Sequence, residues 1–265
     1  MHQARKRFGQ HFLVDDSIIQ AIVRAIQPSS QLSVIEIGPG LGALTRPLLE
    51  RLTHLDLLEI DRDLVAYWHK QNLSGLHVIE GDALHFDFRS WAKEIKKQDD
   101  TTQVRARACS IVGNLPYNIS SPLLFHLIEA ADLVYEQVFM LQAEVVERMV
   151  AAPQDSAFGR LSVMLQARYH MEQILEVPPD AFDPPPRVNS AVVRMIPRPD
   201  FALSPEQWHS LEKITTLAFA QRRKMLRGNL ESVLERISMT AEEKTSRAQD
   251  ISVERYIEWA KQLLA

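Results

Sequence analysis

The stretch Leu32-Ser33-Val34-Ile35-Glu36-Ile37 runs directly into the glycine-rich sequence Gly38-Pro39-Gly40-Leu41-Gly42. The first six residues are predicted to form a strand, and a helix is predicted over residues 44–52 after the turn. Such a turn lets a ligand approach the backbone closely. A dinucleotide fingerprint spaces its glycines G-x-G-x-x-G, whereas here the third glycine comes one residue early and a proline intervenes. A nucleoside without a pyrophosphate therefore fits this turn better than NAD does.

Apolar runs and amphipathic stretches alternate on both sides of this turn. This alternation predicts a doubly wound α/β sheet. Strands are predicted at 32–37, 55–60, 76–80, 108–112, 137–141, 169–177 and 188–196. Helices are predicted at 17–27, 44–52, 63–71, 122–131 and 143–151, with an exposed helix and loop around 93–102 and Asp63 as a helix N-cap. A proline-rich loop, 178–186, joins the last two strands.

From Ser204 onward the sequence is predicted to be helical, with capping boxes at Ser204 to Gln207 and at Thr240 to Glu243. We therefore predict a first domain over residues 1–200 and a small all-α domain over residues 201–265.

Composition narrows the class of protein. The chain has 265 residues, of which 46% are hydrophobic and 24% charged, and it carries a net charge of -4. These values are ordinary for a globular protein, and no apolar run reaches the roughly 18 residues of a membrane span. The basic start has no apolar segment behind it, so we expect a cytoplasmic protein without a membrane partner. Cys109 is the only cysteine, which excludes an intrachain disulfide and argues against a cysteine-based metal site. No metal is predicted.

The glycine turn follows the first predicted strand, and an acidic or amide side chain lies at the end of each of the next three. Glu59 comes 21 residues after Gly38, Asp82 follows the third strand, and Asn114 follows the fourth. Since ligands bind at the carboxyl ends of the strands in such sheets, these residues are expected to share one site. Glu59 can accept hydrogen bonds from ribose hydroxyls, and Asp82 from an adenine amine. The combined spacing predicts an S-adenosylmethionine site.

The turn Asn114-Leu115-Pro116-Tyr117 places an amide, a backbone carbonyl and an aromatic ring together. The Asn114 amide oxygen and the Leu115 carbonyl can accept hydrogen bonds, while Tyr117 offers a face for stacking. These groups suit a planar base that carries an exocyclic amine. The alternative is an ordinary strand-to-helix turn, because Ser121-Pro122 is a usual helix start.

Two basic clusters are candidates for binding phosphate. Arg5-Lys6-Arg7 lies at the start of the chain, and Arg222-Arg223-Lys224 lies close to Arg227 on a predicted helix. Both clusters can contact RNA phosphates, and the alternative is that each is part of a solvated helix surface.

The chain resembles the KsgA/RsmA ribosomal RNA adenine dimethyltransferases over essentially its whole length. The resemblance rests on Arg7-Phe8-Gly9-Gln10-His11-Phe12-Leu13, the stretch 36–45, Leu58-Glu59-Ile60-Asp61-Arg62-Asp63, Gly81-Asp82-Ala83, the stretches 113–120, 159–163 and 181–194, and Phe219 with Gln221-Arg222-Arg223-Lys224. It implies a Rossmann-like class I methyltransferase fold with a mixed seven-stranded sheet.

The resemblance also implies the cofactor, the site residues and the substrate. S-adenosylmethionine is expected to be held by His11, Leu13, Gly38, Gly40, Glu59, Asp82, Ala83 and Asn114. The expected catalytic residues are Asn114, Leu115, Tyr117 and Phe182, with Phe182 covering the face of the adenine opposite Tyr117. The implied substrate is two adjacent adenosines in the 3′-terminal hairpin loop of small-subunit ribosomal RNA, each methylated twice on N6. The protein is expected to act on the small ribosomal subunit as a monomer.

Two other functions are compatible with these motifs. One is an Erm-type enzyme that methylates an adenine of large-subunit RNA. The other is a ribosome assembly or RNA-binding factor in which methyl transfer is secondary.

Overall fold

A computed structural model describes residues 11–100, 108–199 and 203–264 of the chain, with the backbone alone described at 98–100 and 108. The chain forms two compact units. The first comprises the described parts of Met1–Val146 and Glu172–Pro197, and the second those of Glu147–Met171 and Arg198–Ala265. The predicted border at residue 200 lies near the last of these boundaries. The segment 147–171, which was expected in the first domain, belongs to the second unit.

Strands and helices alternate through the first part of the chain, as the apolar pattern predicts. The strands are β1 Phe12–Leu13, β2 Leu32–Ile37, β3 Leu55–Glu59, β4 Leu76–Glu80, β5 Ala108–Asn114, β6 Glu136–Gln142, β7 Tyr169–Val177, β8 Phe182–Asp183 and β9 Ser190–Pro197. The helices are α1 Asp16–Ile26, α2 Thr45–Leu49, α3 Arg62–Gln71, α4 Phe88–Asp100, α5 Ser120–Leu127 and α6 Ala143–Val150.

The main sheet has seven strands in the order β4-β3-β2-β5-β6-β9-β7. The pairs β4-β3, β3-β2, β2-β5 and β5-β6 are parallel, and β9 is antiparallel to β6. The mixed seven-stranded sheet was therefore predicted correctly. Every residue of β2 and β3 is buried, which explains why these strands are mainly apolar and show no regular alternation of apolar and polar residues. In the β2-β5 register Ile37 lies opposite Gly113, so the residues that follow both strands meet at one edge.

Helix α1 packs on the sheet through residues that recur every three or four positions. Ile19, Ile22, Val23 and Ile26 are buried, and the side chain of Asp15 caps the first turn.

The N-cap of α3 lies two residues earlier than predicted. The carboxylate of Asp61 accepts a hydrogen bond from the backbone N–H of Asp63 at 3.0 Å, so Asp61 is the cap and Asp63 lies in the first turn.

A small two-stranded sheet, β1 with β8, was not predicted. Phe12 pairs with Asp183 and Leu13 with Phe182, and the N–H of Val14 donates to the carbonyl of Ala181 at 2.8 Å. Two-residue strands show no periodicity, and their partners lie far apart in the sequence, so no local pattern indicates them. The pairing brings the segment around His11 against the proline-rich loop.

The second unit is mainly helical. Its helices are α7 Arg160–Gln166, α8 Pro205–Ala218, α9 Leu226–Asn229, α10 Ala241–Thr245 and α11 Val253–Gln262. Both predicted capping boxes are present, at Ser204 and Thr240. Helix α7 was not predicted. It packs on α8, where the Thr215 hydroxyl lies 3.4 Å from Sδ of Met164. This packing explains why part of segment 147–171 belongs to the second unit. In the described part of the chain, no helix combines the length and apolarity needed to cross a membrane.

Candidate active site

The glycine-rich turn lies at the carboxyl end of β2, near the centre of the sheet. Gly38 has φ 65°, in the left-handed region that favours glycine, and a Cβ atom built there would lie 3.9 Å from the backbone oxygen of Asn114. The indole Nε1 of Trp68 donates a hydrogen bond to the carbonyl of Gly40 at 3.0 Å, which anchors the turn to α3. The turn therefore presents bare backbone beside the end of β5.

Glu59 ends the neighbouring strand β3 and is 5% exposed. Its Oε1 accepts a hydrogen bond from the backbone N–H of Asp61 at 2.8 Å. Burial raises the pKa of the Glu59 carboxyl, while N–H groups of Asp61, Ile60 and Gly40 act in the opposite direction. These N–H groups orient the carboxyl group, and its remaining lone pairs can accept hydrogen bonds from ligand hydroxyls.

Asp82 is oriented by its own turn after β4. Its Oδ1 accepts a hydrogen bond from the N–H of Leu84 at 2.9 Å, and its Oδ2 lies 3.0 Å from Nδ1 of His85. Ala83, next to it, is buried. The predicted acid at this position is thus held in place and retains lone pairs for a ligand amine.

Asn114 and Leu115 connect the end of β5 to its neighbours. The carboxamide Nδ2 of Asn114 donates to the backbone carbonyl of His11 at 3.3 Å, and no described residue donates to its Oδ1. The N–H of Leu115 donates to the carbonyl of Met140 on β6 at 3.1 Å. The Asn114 amide oxygen therefore remains available to a ligand.

Tyr117 presents its ring beside that of His11. The ring centroids are 6.0 Å apart and the planes differ by 23°. His11 is held in turn, because its Nδ1 lies 2.7 Å from the carbonyl oxygen of Pro184. Burial raises the pKa of the Tyr117 hydroxyl.

A cavity of ≈ 690 Å³ brings these groups together. Such a volume is typical of sites for small organic ligands. The predicted residues that line it are His11, Leu13, Gly38, Gly40, Glu59, Asp82, Ala83, Asn114, Leu115 and Tyr117. Exposed apolar side chains that were not predicted also line it, among them Val14, Leu41 and Ile60.

The cavity has the chemistry that S-adenosylmethionine requires. Oriented carboxyl groups at Glu59 and Asp82 can accept hydrogen bonds from ribose hydroxyls and an adenine amine. Apolar side chains suit the purine ring, and a side chain at Gly38 would point toward Asn114 and narrow the cavity between the two strands. The residues present therefore fit this group.

Glu36 is a cavity residue that was quoted only as part of a motif. Its Oε2 accepts a hydrogen bond from the Thr45 hydroxyl at 2.7 Å, inside the protein. Burial and the charge of Glu59 raise the pKa of Glu36 to about 7, against the effect of the Thr45 hydrogen bond. The position of Glu36 could be read from the sequence. Its environment could not be predicted, because it depends on Thr45 and Glu59.

Phe182 does not lie where it was predicted. It is 3% exposed, packs in the core cluster with Leu13 and Val177, and does not line the cavity. Pairing of β8 with β1 directs this ring into the core. In this structure Phe182 is thus not part of the cavity lining, and its contact with the face of the adenine opposite Tyr117 stays a prediction.

The C-terminal basic cluster lies in a turn and not on the predicted helix. Asn229 donates through Nδ2 to the carbonyl of Ala218 at 2.7 Å, at the end of α8, and Arg222–Lys224 follow in the turn. Arg227 lies in the four-residue helix α9. All three cations of the turn are exposed, and Arg222 also donates to the backbone carbonyls of Ser156 and Phe158.

The N-terminal cluster, Arg5, Lys6 and Arg7, lies outside the described residues.

A mixed seven-stranded sheet with a glycine turn, two oriented acids and an Asn-Leu-Pro-Tyr turn at one edge defines a class I methyltransferase. Solved structures share this fold. The dimethyladenosine transferase from Plasmodium falciparum has a TM-score of 0.76 at 23% identity, with 94% of this chain and 96% of that chain covered. The 23S rRNA methyltransferase ErmE has a TM-score of 0.67 at 22% identity, with 96% and 100% covered.

The family model described as ribosomal RNA adenine dimethylase matches residues 1–263, and the chain belongs to this family. A relative from Bordetella petrii named ribosomal RNA small subunit methyltransferase A is 54% identical over 99% of this chain and 96% of its own length. A relative of the same name from Ralstonia nicotianae is 57% identical over 91% of this chain and 82% of its own length. The family resemblance seen in the motifs is therefore confirmed.

Proposed function

We propose that the protein transfers methyl groups from S-adenosylmethionine to N6 of two adjacent adenosines in the 3′-terminal hairpin loop of small-subunit (16S) ribosomal RNA. The products are N6,N6-dimethyladenosines, formed during ribosome biogenesis. Membership of the adenine dimethylase family and the names of the relatives support this substrate. One observation supports the chemistry most directly: the Asn114 carboxamide is held by the backbone carbonyl of His11 through its Nδ2, which leaves its Oδ1 available.

The residues proposed to hold S-adenosylmethionine are His11, Leu13, Gly38, Gly40, Glu59, Asp82, Ala83 and Asn114. Glu59 accepts hydrogen bonds from the ribose hydroxyls, and Asp82 accepts one from the adenine amine. When bound, S-adenosylmethionine supplies an electrophilic methyl group on a sulfonium sulfur. The proposal requires no metal ion.

Asn114 and Leu115 align the amine of the target adenosine. An adenine amine is a poor nucleophile, because its lone pair is delocalised into the ring. Asn114 Oδ1 and the Leu115 carbonyl accept hydrogen bonds from the two N6 hydrogens, which pyramidalises the nitrogen and directs its lone pair. After the first transfer one N6 hydrogen remains, and one of the two acceptors can still hold it.

Tyr117 provides the stacking surface for the extruded base. An adenine in a loop costs less to extrude than a paired one, and stacking on an aromatic ring stabilises it in the pocket. No side chain has to act as a general base, because the methylated amine is acidic and loses its proton to water.

The basic residues are proposed to bind RNA phosphates. In the C-terminal turn and α9, Arg223, Lys224 and Arg227 are exposed and suited to this role. Arg222 is also proposed to bind phosphate, although its Nη2 donates to the backbone carbonyls of Ser156 and Phe158. Arg5, Lys6 and Arg7 are also proposed to bind RNA phosphates. We further propose that residues 201–265 help to select the RNA, and that the protein works as a monomer in the cytoplasm.

The test is to incubate the protein with methyl-labelled S-adenosylmethionine and ribosomal subunits that lack the modification. We expect label in small-subunit RNA, and mass analysis of its nucleosides should show N6,N6-dimethyladenosine. The Asn114→Ala variant is the matched control and should label the RNA far more slowly than the wild type. Label in large-subunit RNA would instead indicate an Erm-type activity. Binding without transfer would indicate an assembly factor.

A further inference from the structure

The hydroxyl of Tyr117 lies 2.8 Å from Oγ of Ser190, a residue 73 positions further along the chain. Ser190 begins β9 and is 1% exposed. In the antiparallel β6-β9 ladder it lies opposite Gln142, and the N–H of Ala143 donates to the carbonyl of Asn189 at 2.9 Å beside it. Its hydroxyl is therefore positioned by the main sheet and not by a surface loop.

Tyr117 is held at both ends. The Ser120 hydroxyl donates to the Tyr117 backbone carbonyl at 3.1 Å, and the phenol oxygen is held by Ser190. The ring between these two points is half-buried and lines the cavity. With its far end attached to the sheet, the ring keeps one orientation toward the cavity, whereas a ring fixed only through its backbone can rotate between rotamers.

We infer that Ser190 is a positioning residue for methyl transfer, because its hydroxyl holds the Tyr117 ring in the orientation in which the ring stacks on the target adenine. This inference rests on the proposed function, since it requires Tyr117 to be the stacking ring. When the target base binds against a ring that is already fixed, less side-chain freedom is lost on binding. The reacting amine is then aligned for methyl transfer in a larger fraction of the complexes.

The experiment measures the single-turnover rate of methyl transfer to unmodified small ribosomal subunits, with subunits and S-adenosylmethionine both saturating. We expect Ser190→Ala to lower this rate about three- to tenfold, the effect of one neutral hydrogen bond. Tyr117→Phe keeps the ring and removes the other hydroxyl, so it should cause a similar loss. The double variant should be no slower than either single variant, because all three lack the same bond. The affinity for S-adenosylmethionine should be unchanged in all of them.

Ser33→Ala is the matched control. Ser33 is a buried serine on β2 of the same sheet, and its Oγ has no hydrogen-bond partner among the described residues. Its removal should leave the rate at the wild-type value. Melting temperatures are measured alongside. A Ser190→Ala protein that melts earlier but transfers methyl groups at the wild-type rate would show a purely structural bond and overturn the inference.

The Tyr117→Ala variant separates failure of this inference from failure of the proposed function. If Tyr117→Ala transfers at the wild-type rate, Tyr117 does not stack on the base and the proposed function loses that step. If Tyr117→Ala is slow while Ser190→Ala and Tyr117→Phe are both as fast as wild type, only the positioning role of Ser190 is lost. Additive losses in the double variant would also overturn it.

Discussion

The carboxamide nitrogen of Asn114 donates a hydrogen bond to the backbone carbonyl oxygen of His11 at 3.3 Å. A carbonyl oxygen only accepts hydrogen bonds, so this contact determines which end of the amide faces His11 and leaves Oδ1 for the substrate. We expect Asn114→Ala to lower the single-turnover rate about 10²- to 10³-fold, the loss typical of a removed transition-state hydrogen bond. Rapid-quench measurements with labelled S-adenosylmethionine give this rate.

The binding of S-adenosylmethionine is the internal control for Asn114→Ala. Glu59, Asp82 and the glycine turn are unchanged in this variant, so calorimetric titration should show most of the affinity retained. A wild-type transfer rate would contradict the proposed role of Asn114.

Gly113 explains how β5 can approach β2 closely enough to bring Asn114 beside Gly38. A Cβ atom on Gly113 would lie 2.5 Å from the backbone oxygen of Ile37 and 3.3 Å from Cδ2 of Leu115. We expect Gly113→Ala to push the strand ends apart, lowering the free energy of unfolding by about 1–3 kcal/mol and reducing methyl transfer. Urea denaturation and the single-turnover rate measure the two effects.

Gly228→Ala is the matched control for Gly113→Ala. Gly228 lies in α9, and the nearest atom to a Cβ there would be Cδ of Lys224 at 3.9 Å, an ordinary contact. Alanine should be neutral or stabilising at this position. If Gly113→Ala and Gly228→Ala both unfold at the same urea concentration as the wild type, the spacing between β2 and β5 does not depend on Gly113.

Glu36 makes stability depend on pH in a direction opposite to that of most carboxylates. Burial raises its pKa in the fold to about 7, above the reference value of 4.5. Its contribution to stability is therefore fully present below pH 4.5 and is lost as the pH rises through 7. Glu36→Gln stays neutral, so its stability relative to wild type should increase by about 2–3 kcal/mol between pH 5 and pH 8.

Denaturant titrations of Glu36→Gln and wild type at both pH values measure this difference. The difference between Glu36→Gln and wild type at pH 5 serves as the reference, because the Glu36 carboxyl group is mostly protonated in the folded protein at that pH. A difference that stays constant from pH 5 to pH 8 would show that Glu36 is not neutral in the fold.

The sequence predicted the main sheet because its strands are long apolar runs. The bounds of β2, β4 and β7 agree with the prediction, and the ends of β5 and β9 differ by two residues or less. The acids and the Asn-Leu-Pro-Tyr turn could be placed at one edge because parallel strands have their carboxyl ends together. These features depend on local pattern and on one general rule of topology.

Contacts between distant segments could not be predicted in this way. Ser190 follows a proline-rich loop, and nothing in its neighbourhood indicates that its hydroxyl meets Tyr117. Phe182 occurs in a family motif, yet the pairing of β8 with β1 turns it into the core. The segment around Arg222 has the composition of a helix, but it forms a turn. Asn229 donates a hydrogen bond to the carbonyl of Ala218 at the end of α8. Each outcome was decided by a tertiary hydrogen bond or pairing.

Asp56 on β3 joins two strands and a helix through one carboxylate. Its Oδ1 lies 3.1 Å from Nε2 of His54 and 2.9 Å from Nδ1 of His77, and its Oδ2 accepts from Nε1 of Trp91 at 2.8 Å. Burial raises the pKa of Asp56, but hydrogen bonds from His54, Trp91 and His77 together hold it below the usual value. Its stabilising effect is therefore present above the reference value of 3.8 and is lost as the pH falls through the folded value.

We expect Asp56→Ala to lower the free energy of unfolding at pH 7 by about 2–4 kcal/mol, because the buried Trp91 N–H loses its acceptor. The deficit should shrink as the pH falls below 3.8 and through the lower folded pKa of Asp56, because the wild-type carboxylate then becomes protonated. Equal stability of Asp56→Ala and wild type at pH 7 would show that the cluster contributes nothing to the fold.

The basic turn holds three exposed cations, of which Arg222 also makes hydrogen bonds to the fold. Arg222 donates to the carbonyls of Ser156 and Phe158, so Arg222→Ala should lower the melting temperature of the protein. Arg223 and Lys224 are exposed, so Arg223→Glu with Lys224→Glu should leave the melting temperature unchanged. The double variant should instead weaken binding to small-subunit RNA and reduce the slope of log affinity against log salt by about 1–2.

Fluorescence anisotropy with a labelled RNA hairpin, titrated at several salt concentrations, measures this slope, and calorimetric titration of S-adenosylmethionine provides the control. The affinity for S-adenosylmethionine should not change, because Arg223 and Lys224 do not line the cavity. An unchanged salt slope would mean that these two side chains are only a solvated surface. A loss of RNA binding in Arg222→Ala at a temperature where it is fully folded would mean that Arg222 itself contacts phosphate.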